Sequence, residues 1–338
     1  MTKKERTLAT IARQQVDRPA KWLGIPTPDA LPALFQEFGV SNVYELKKAV
    51  DDDIWDVEMP YHSPTANAIY MAFDFKQSEK YDYTLTGKGF FADYCDGDNV
   101  NDFSWPDPTA YIDVEECKRR VNELPEGYAI MGVIWSAHFQ DACAAFGMEE
   151  ALMKMKTDPE MFQTVIDKIT EFYLKANEIF YRATKGKLDM VLIGNDFGTQ
   201  ESLICDPNDL RKFVFKGTKA LIDQARSYGL KVIHHSCGAI RPIINDLIEC
   251  GADVVHPIQA LAKGMEPHSL KEEFGQRVSF CGGVDAQYLL VHGSEDEVAQ
   301  KVTELEKLFP TGLIISPSHE AILVDVPPKN VKALLRGE

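Results

Sequence analysis

Residues 189–256 read DMVLIGNDFGTQESLICDPNDLRKFVFKGTKALIDQARSYGLKVIHHSCGAIRPIINDLIECGADVVH. Their pattern decides the fold. Asp189–Ile193 is an apolar run too short for a helix, and it reads as a buried strand. Asp206-Pro207 opens a helix, with Asp as N-cap and Pro at the first helical position. Leu210, Phe213, Val214 and Leu221 share one face of that helix, and Gly229 ends it. Lys231–His235 is the next strand. Ile240, Ile243, Ile244, Leu247 and Ile248 form a helical stripe that stops at Gly251. Asp253–His256 is a third strand. Strands that alternate with helices in this way lie parallel.

The same rhythm continues on both sides. Upstream, Tyr128–Trp135 reads as a buried strand, and Asp158-Pro159 opens a long helix that closes at Gly186. Downstream come a short helix over Ser269–Phe274, a strand over Arg277–Cys281 and a helix reaching Leu308. Ser294 and Glu297 form a capping box for that helix. A last strand covers Gly312–Ser316, and Pro328 opens the terminal helix. These make six strands. Two more, near Trp22 and Ile69, complete an eight-stranded (β/α)8 barrel with extra N-terminal segments, one domain over 1–338. A doubly wound sheet is the competing architecture, and no GxGxxG turn supports it.

The chain has 338 residues, 36 Lys plus Arg against 52 Asp plus Glu, and a formal charge of −16. Such a chain is a poor partner for nucleic acid or an anionic membrane surface. No apolar run is long enough for a membrane span, and the charged start Met1–Arg6 is unlike a secretion signal. The expectation is a cytoplasmic protein. Its seven cysteines are then mostly free thiols. Cys95, Cys117, Cys143 and Cys205 show no metal spacing and read as structural. Cys250 lies on a helix stripe, and Cys281 before Gly-Gly is more often a core thiol than a ligand.

In a parallel barrel, reactive groups sit where strands end. His235 and Cys237 lie two apart at such an end, so both side chains can converge on one point. Imidazole and thiolate are favoured zinc ligands, and His319 is the best-placed third ligand, with Glu320, Asp285 and Gln259 as additions. Equally, His235 can cap a carbonyl and Cys237 can be a small buried residue. Asp196 reads either as a general acid/base or substrate anchor, or as a carboxylate taking loop amide bonds. Asn195, Gln259, Asp285 and Trp135 are candidate substrate-binding residues, and His138 and Gln140 follow the same strand as Trp135.

These motifs carry a family resemblance. Asn195-Asp196-Phe197-Gly198, His235-Ser236-Cys237-Gly238, Gly251-Ala252-Asp253, Leu270-Lys271-x-x-Phe274-Gly275, Phe280-x-Gly282-Gly283-Val284-Asp285 and Gly293-Ser294-x-x-Glu297-Val298 follow one another in order. With Pro327–Val331 near the end, and Glu5-Arg6 and Asp17-Arg18-Pro19 near the start, the chain resembles the uroporphyrinogen decarboxylase-like superfamily, whose fold is a (β/α)8 barrel. One branch decarboxylates porphyrinogens without metal, using an Arg-rich N-terminal segment. Here Arg18-Pro19 is followed by Ala20–Ile25 with no arginine cluster, and only Arg13, Arg18, Arg241 and Arg277 are on offer.

The other branch holds zinc with a His-x-Cys turn and a distant Cys, and transfers methyl groups with a corrinoid (cobalamin) protein. His235 and Cys237 match that turn, whereas His319 stands at the distant position. One thiolate and two imidazoles leave Zn(2+) formally at +1, a stronger Lewis acid than a multi-thiolate site. The resemblance therefore implies demethylation of a small methylated substrate, an ether or similar, onto a corrinoid protein, with Asp196 protonating the leaving oxygen. The alternatives are a metal-free lyase, a corrinoid-to-thiol methyltransferase and a non-catalytic corrinoid-binding subunit. Barrels of this kind often pair through their outer helices, which leaves a homodimer as an open expectation.

Overall fold

The structure is a computed structural model and describes residues 1–73, 87–91 and 100–336. Seven strands form one curled parallel sheet: β2 (Ile54–Glu58), β3 (Ala129–Trp135), β4 (Met190–Gly194), β5 (Lys231–His235), β6 (Val254–Ile258), β7 (Ser279–Val284) and β8 (Leu313–Pro317). They neighbour one another in chain order, as a barrel requires. A separate pairing joins β1 (Ile25–Pro26) to β9 (Ala321–Ile322), again parallel.

The eighth barrel position is filled without a regular strand. Trp22 N–H donates to the Ile315 carbonyl (2.9 Å), and Ile315 N–H donates to the Ala20 carbonyl (2.8 Å). On the other side Asp53 N–H, just before β2, donates to the Lys21 carbonyl (3.0 Å). Residues 20–22 thus join β8 to the β2 edge through a single bridge, Lys21 to Ile315. The strand expected near Trp22 is this bridge. The strand expected near Ile69 is instead a single 3-10 turn, Ile69–Met71. The stretch before it, Ser63–Ala68, is made of small residues, proline and asparagine, so the apolar run is too short to pair.

Alternation along each strand separates two cores. Met131, Val133, Met190, Leu192, Ile233, Val254, Cys281 and Ile314 point into the barrel. Ile130, Ile134, Val191, Ile193, Val232, Val255, Phe280 and Ile315 point out against the helices. Ile11, at the end of the helix Lys3–Ile11, packs with the inner set and plugs the barrel floor. Trp22, fully buried, belongs to the same layer, and its ring meets that of His256 edge-on at 5.4 Å. This parity also sends His234 outward to stack on Phe197 (6.0 Å) and His235 inward.

The expected helices form. Asp158 caps Pro159–Ala183, Asp206 caps the turn at Pro207, and Ser294 and Glu297 close their capping box. The helix after Asp206 passes through a π-turn over Leu210–Val214 before it continues to Ser227. Cys117, Cys143, Cys205, Cys250 and Cys281 are free thiols, and Cys281 lies in the inner core. Cys95 lies outside the described residues. No helix among the described residues is long and apolar enough to cross a membrane.

Candidate active site

The carboxyl ends of β3, β4, β5 and β8 open on a cleft of about 480 Å³. Ile25–Pro28 form one wall. Glu58, Tyr70 and Trp135 form another. Gln140, Asp141, Asp196, His235 and Glu320 supply its polar groups. Among the described lining residues there is no lysine or arginine.

His235 ends β5 on the inner face. Its Nε2 lies 3.1 Å from Asp196 Oδ1 and 3.5 Å from Cys237 Sγ, and its Nδ1 lies 2.9 Å from His256 Nδ1. The Cys237 N–H also donates to Asp196 Oδ1 (2.9 Å), and Gln140 Nε2 donates to Oδ2 (3.2 Å). The turn that holds Cys237 depends on Gly238. At φ +87°, a Cβ on Gly238 would lie 2.3 Å from the Gly198 carbonyl carbon. Asp196 takes a loop amide bond, and it also lines the cleft.

Five metal-ligating side chains cluster here. Ligand atoms of Asp196, His235 and Cys237 lie within 4.8 Å of one another, as do those of Cys237, His319 and Glu320. Cys237 is common to both groups. Glu320 Oε2 is buried without a hydrogen-bond partner, 3.7 Å from His235 Nδ1 and 3.5 Å from His319 Nδ1. An acceptor-only oxygen in that state suits a cation. The 3.5 Å between sulfur and imidazole nitrogen suits one tetrahedral ion, because Zn–S of about 2.3 Å and Zn–N of about 2.05 Å at a tetrahedral angle put the two roughly 3.5 Å apart. The His235–Cys237 pair is therefore spaced as two zinc ligands are, and His319 meets Cys237 in the second group. The His235–His256 contact would fix the ring through its other nitrogen, as histidine ligands require.

The electrostatics of the cluster are coupled. Burial resists the charge on Asp196, but His235 and the Cys237 N–H outweigh it and hold the carboxyl at about 2. Burial likewise opposes charge on His235 and Cys237. Asp196 and Cys237 nevertheless raise the imidazole, and the two imidazoles lower the thiol. His256, buried beside His235, is held well below its ordinary value and stays neutral. The cluster thus couples a carboxyl and a thiol, both held low, to an imidazole that is held high.

The remaining sequence candidates sort by what they touch. Trp135 lines the cleft, its ring 5.5 Å from that of His235. Trp135 and Ser136 both have positive φ (51° and 55°), and the β3–β4 register shifts at this strand end, which turns the indole toward the cleft. Asn195, Gln259 and Asp285 spend their oxygens on backbone. Asn195 Oδ1 accepts from Phe139 N–H (2.8 Å), Gln259 Oε1 from Gly238 N–H (2.7 Å), and Asp285 Oδ2 from Tyr288 and Leu289 N–H (2.7 and 2.8 Å). The first two brace the loops that carry Gln140 and Cys237. None of the three lines this cleft. His138 is buried between the Ser136 and Val214 carbonyls, whereas Gln140 reaches Asp196. Sequence reasoning missed Asp141, Glu58 and Tyr70. An acid in the first turn of a helix is too common a feature to mark Asp141.

The arginines are spoken for elsewhere. Arg18 pairs with Asp51 and Asp53, and Arg241 with Glu273. Arg277 donates to Asn245, and Arg13 packs near Gly312.

Fold and cleft together define a parallel barrel with a histidine–cysteine–carboxylate cluster at its mouth. The uroporphyrinogen decarboxylase (URO-D) family model matches residues 93–336, and the chain belongs to this family. No curated protein is matched by the sequence. Among solved structures, a methyltransferase from Methanosarcina mazei is similar over 100% of this chain and 98% of its own, with a TM-score of 0.70 and 17% identity. At that identity the likeness shows the fold.

Proposed function

We propose that this protein is a zinc-dependent methyltransferase that moves a methyl group from a small ether-type substrate to a corrinoid protein. The observation that carries the reading is the clustering of Asp196, His235, Cys237, His319 and Glu320 beside a cleft that has no lysine or arginine among its described lining residues. His235, Cys237 and His319 would hold the zinc, with Glu320 as the further ligand. Bound there, zinc would act as a Lewis acid that polarises the substrate oxygen.

The protein's own groups do the rest. Trp135, Tyr70 and Pro26 give the substrate an apolar seat. Asp196 holds the Cys237 turn through the Cys237 N–H. With both oxygens already accepting hydrogen bonds, Asp196 acts as an acceptor and not as the proton donor that the resemblance implies. Asn195 and Gln259 hold the loops that aim Gln140 and Cys237. The similarity to a methyltransferase over the whole chain supports the same reading. The family name suggests a decarboxylase, but a polycarboxylate substrate finds no lysine or arginine among the described residues of this cleft.

Zinc content tests the assignment. The protein, purified without a histidine tag, is expected to hold about one zinc per chain, and Cys237→Ala is expected to lose it. Zinc-loaded protein should also methylate free cob(I)alamin from 2-methoxyphenol. Absence of zinc in the wild type after supply of the metal overturns the proposal.

A further inference from the structure

We propose that Asp141, held by Tyr173, is the proton donor to the oxygen that the methyl group leaves. This rests on the ether-demethylating reading above and adds to it the group that neutralises the leaving oxygen.

Asp141 lies in the first turn of the helix His138–Phe146, which begins just beyond β3. It lines the same cleft as Trp135, Asp196 and His235. Among the described residues no lysine, arginine or histidine pairs with it. One partner is fixed: Tyr173 Oη donates to Asp141 Oδ2 at 2.5 Å. Tyr173 is fully buried on the helix Pro159–Ala183, edge-on to Phe172 and Phe73. A carboxyl so placed has two distinct oxygens. One is saturated by the tyrosine, and the other is left to donate its own proton.

The surroundings keep that proton in place. Burial pushes Asp141 up to about 7, against the opposing pull of the Tyr173 hydroxyl. Around the cleft the other ionisable groups are Glu58, Tyr70, Asp196, His235 and Glu320. Three of these are carboxyl groups, and none of the five is a lysine or arginine. Asp196, by contrast, accepts from Cys237 N–H on one oxygen and from Gln140 on the other. Two carboxyl groups on one cleft, one charged and one neutral, divide the roles of orienting base and acid.

The step balances as follows. The C–O bond breaks and its electron pair stays on oxygen. The methyl carbon bonds to the electron pair of the acceptor, the Co(I) centre of a reduced corrinoid. The proton passes from Asp141 to the oxygen, and a neutral alcohol or phenol departs. Asp141 is left as a carboxylate that still accepts from Tyr173, and it regains its proton from water.

Leaving-group dependence tests the role. Zinc-loaded wild type, Asp141→Asn and Tyr173→Phe are assayed with free cob(I)alamin and para-substituted methyl aryl ethers, from 4-methoxytoluene to 4-nitroanisole. Asp141→Asn is expected to lose about 100-fold or more with the poorest leaving group and under about 10-fold with 4-nitroanisole, which needs little protonation. Tyr173→Phe should show the same trend, reduced. Equal losses along the series overturn the donor role and leave the methyl-transfer reading standing. Infrared difference spectra give the second readout, a protonated carboxyl band at pH 6 that Asp141→Asn removes. If the wild type lacks this band, the donor role fails whatever the transfer assay gives. If the wild type methylates cobalamin from no ether, the functional reading fails, and the donor role with it.

Discussion

Asp53 is where the barrel is sewn shut, and Asp53→Ala should open the seam. The carboxylate is fully buried and takes Arg6 Nη1 at 2.6 Å, Arg18 Nη1 at 2.6 Å and Lys21 N–H at 2.8 Å. Removing one partner of a buried ion pair typically costs about 3–5 kcal/mol, because the other charge is left uncompensated. Here each arginine keeps a second acid: Arg6 keeps Asp17 at 2.7 Å, and Arg18 keeps Asp51 at 2.7 Å. Arg18 is also a quarter exposed, so water screens part of its loss. The ionic term therefore falls to about 2 kcal/mol. The Lys21 N–H loses its acceptor, worth about 1–2 kcal/mol more. The expected loss is about 3–4 kcal/mol.

The damage should be local as well. Lys21 and Trp22 bridge β8 to β2, and the chain then runs through Gly24 to β1, where Ile25 N–H donates to the Glu320 carbonyl at 2.6 Å. Gly24 has φ +84°, and a Cβ there would lie 2.4 Å from that carbonyl oxygen. The seam thus positions the segment that carries His319 and Glu320. Urea unfolding followed by tryptophan fluorescence reads the global loss, and amide exchange at Trp22 and Ile315 reads the opening. A loss under about 1 kcal/mol with unchanged exchange at those amides would refute the reasoning.

Two further outcomes follow from the same geometry. Gly238→Ala forces a left-handed residue to carry a Cβ against the Gly198 backbone, so it should cost about 2 kcal/mol or more and lower zinc content, read by denaturation and metal analysis. Asp141→Asn should change the pH dependence of stability. The folded carboxyl titrates at about 7 and the unfolded one near 4, so the unfolded state ionises first as pH rises. The penalty is absent below about pH 4, grows between the two values and is complete above about pH 7. Relative to wild type, the asparagine variant should therefore gain about 2–3 kcal/mol between about pH 5 and pH 8 in urea midpoints. A constant difference over that range would show that Asp141 is not held protonated.

Strands β3 to β8 were legible because each is a short apolar run between capped helices, and their residues match the observed ranges within a few positions. The His235–Cys237 juxtaposition was legible because strand parity is rigid. Closure was not. It depends on one bridge at Lys21 and on Asp53, which has no periodic signature. Asp141 was hidden for a different reason. What sets it apart is a hydroxyl 32 positions downstream and the absence of a cation among its described neighbours, and neither is a property of local sequence. Asn195, Gln259 and Asp285 were picked out as polar residues at strand ends, the right place, but their oxygens face backbone N–H groups that only the folded loops supply.

Charge favours the proposed methyl transfer over the decarboxylation that this family resemblance also raises. Glu58, Asp141, Asp196 and Glu320 all line the cleft, and no described lysine or arginine opposes them. A substrate carboxylate brought within about 6 Å of one ionised wall group would meet about 3 kcal/mol of repulsion at an effective dielectric of ~20. Several carboxylates on one substrate would multiply that cost. A cleft for such a substrate needs arginines, and the chain has spent Arg6 and Arg18 on Asp53 and Arg241 on Glu273. A neutral ether meets no such penalty. On the proposed reading, the imidazoles and thiol of the cluster would hold the metal, and the Asp141 carboxyl, raised by burial, would have an oxygen to receive its proton.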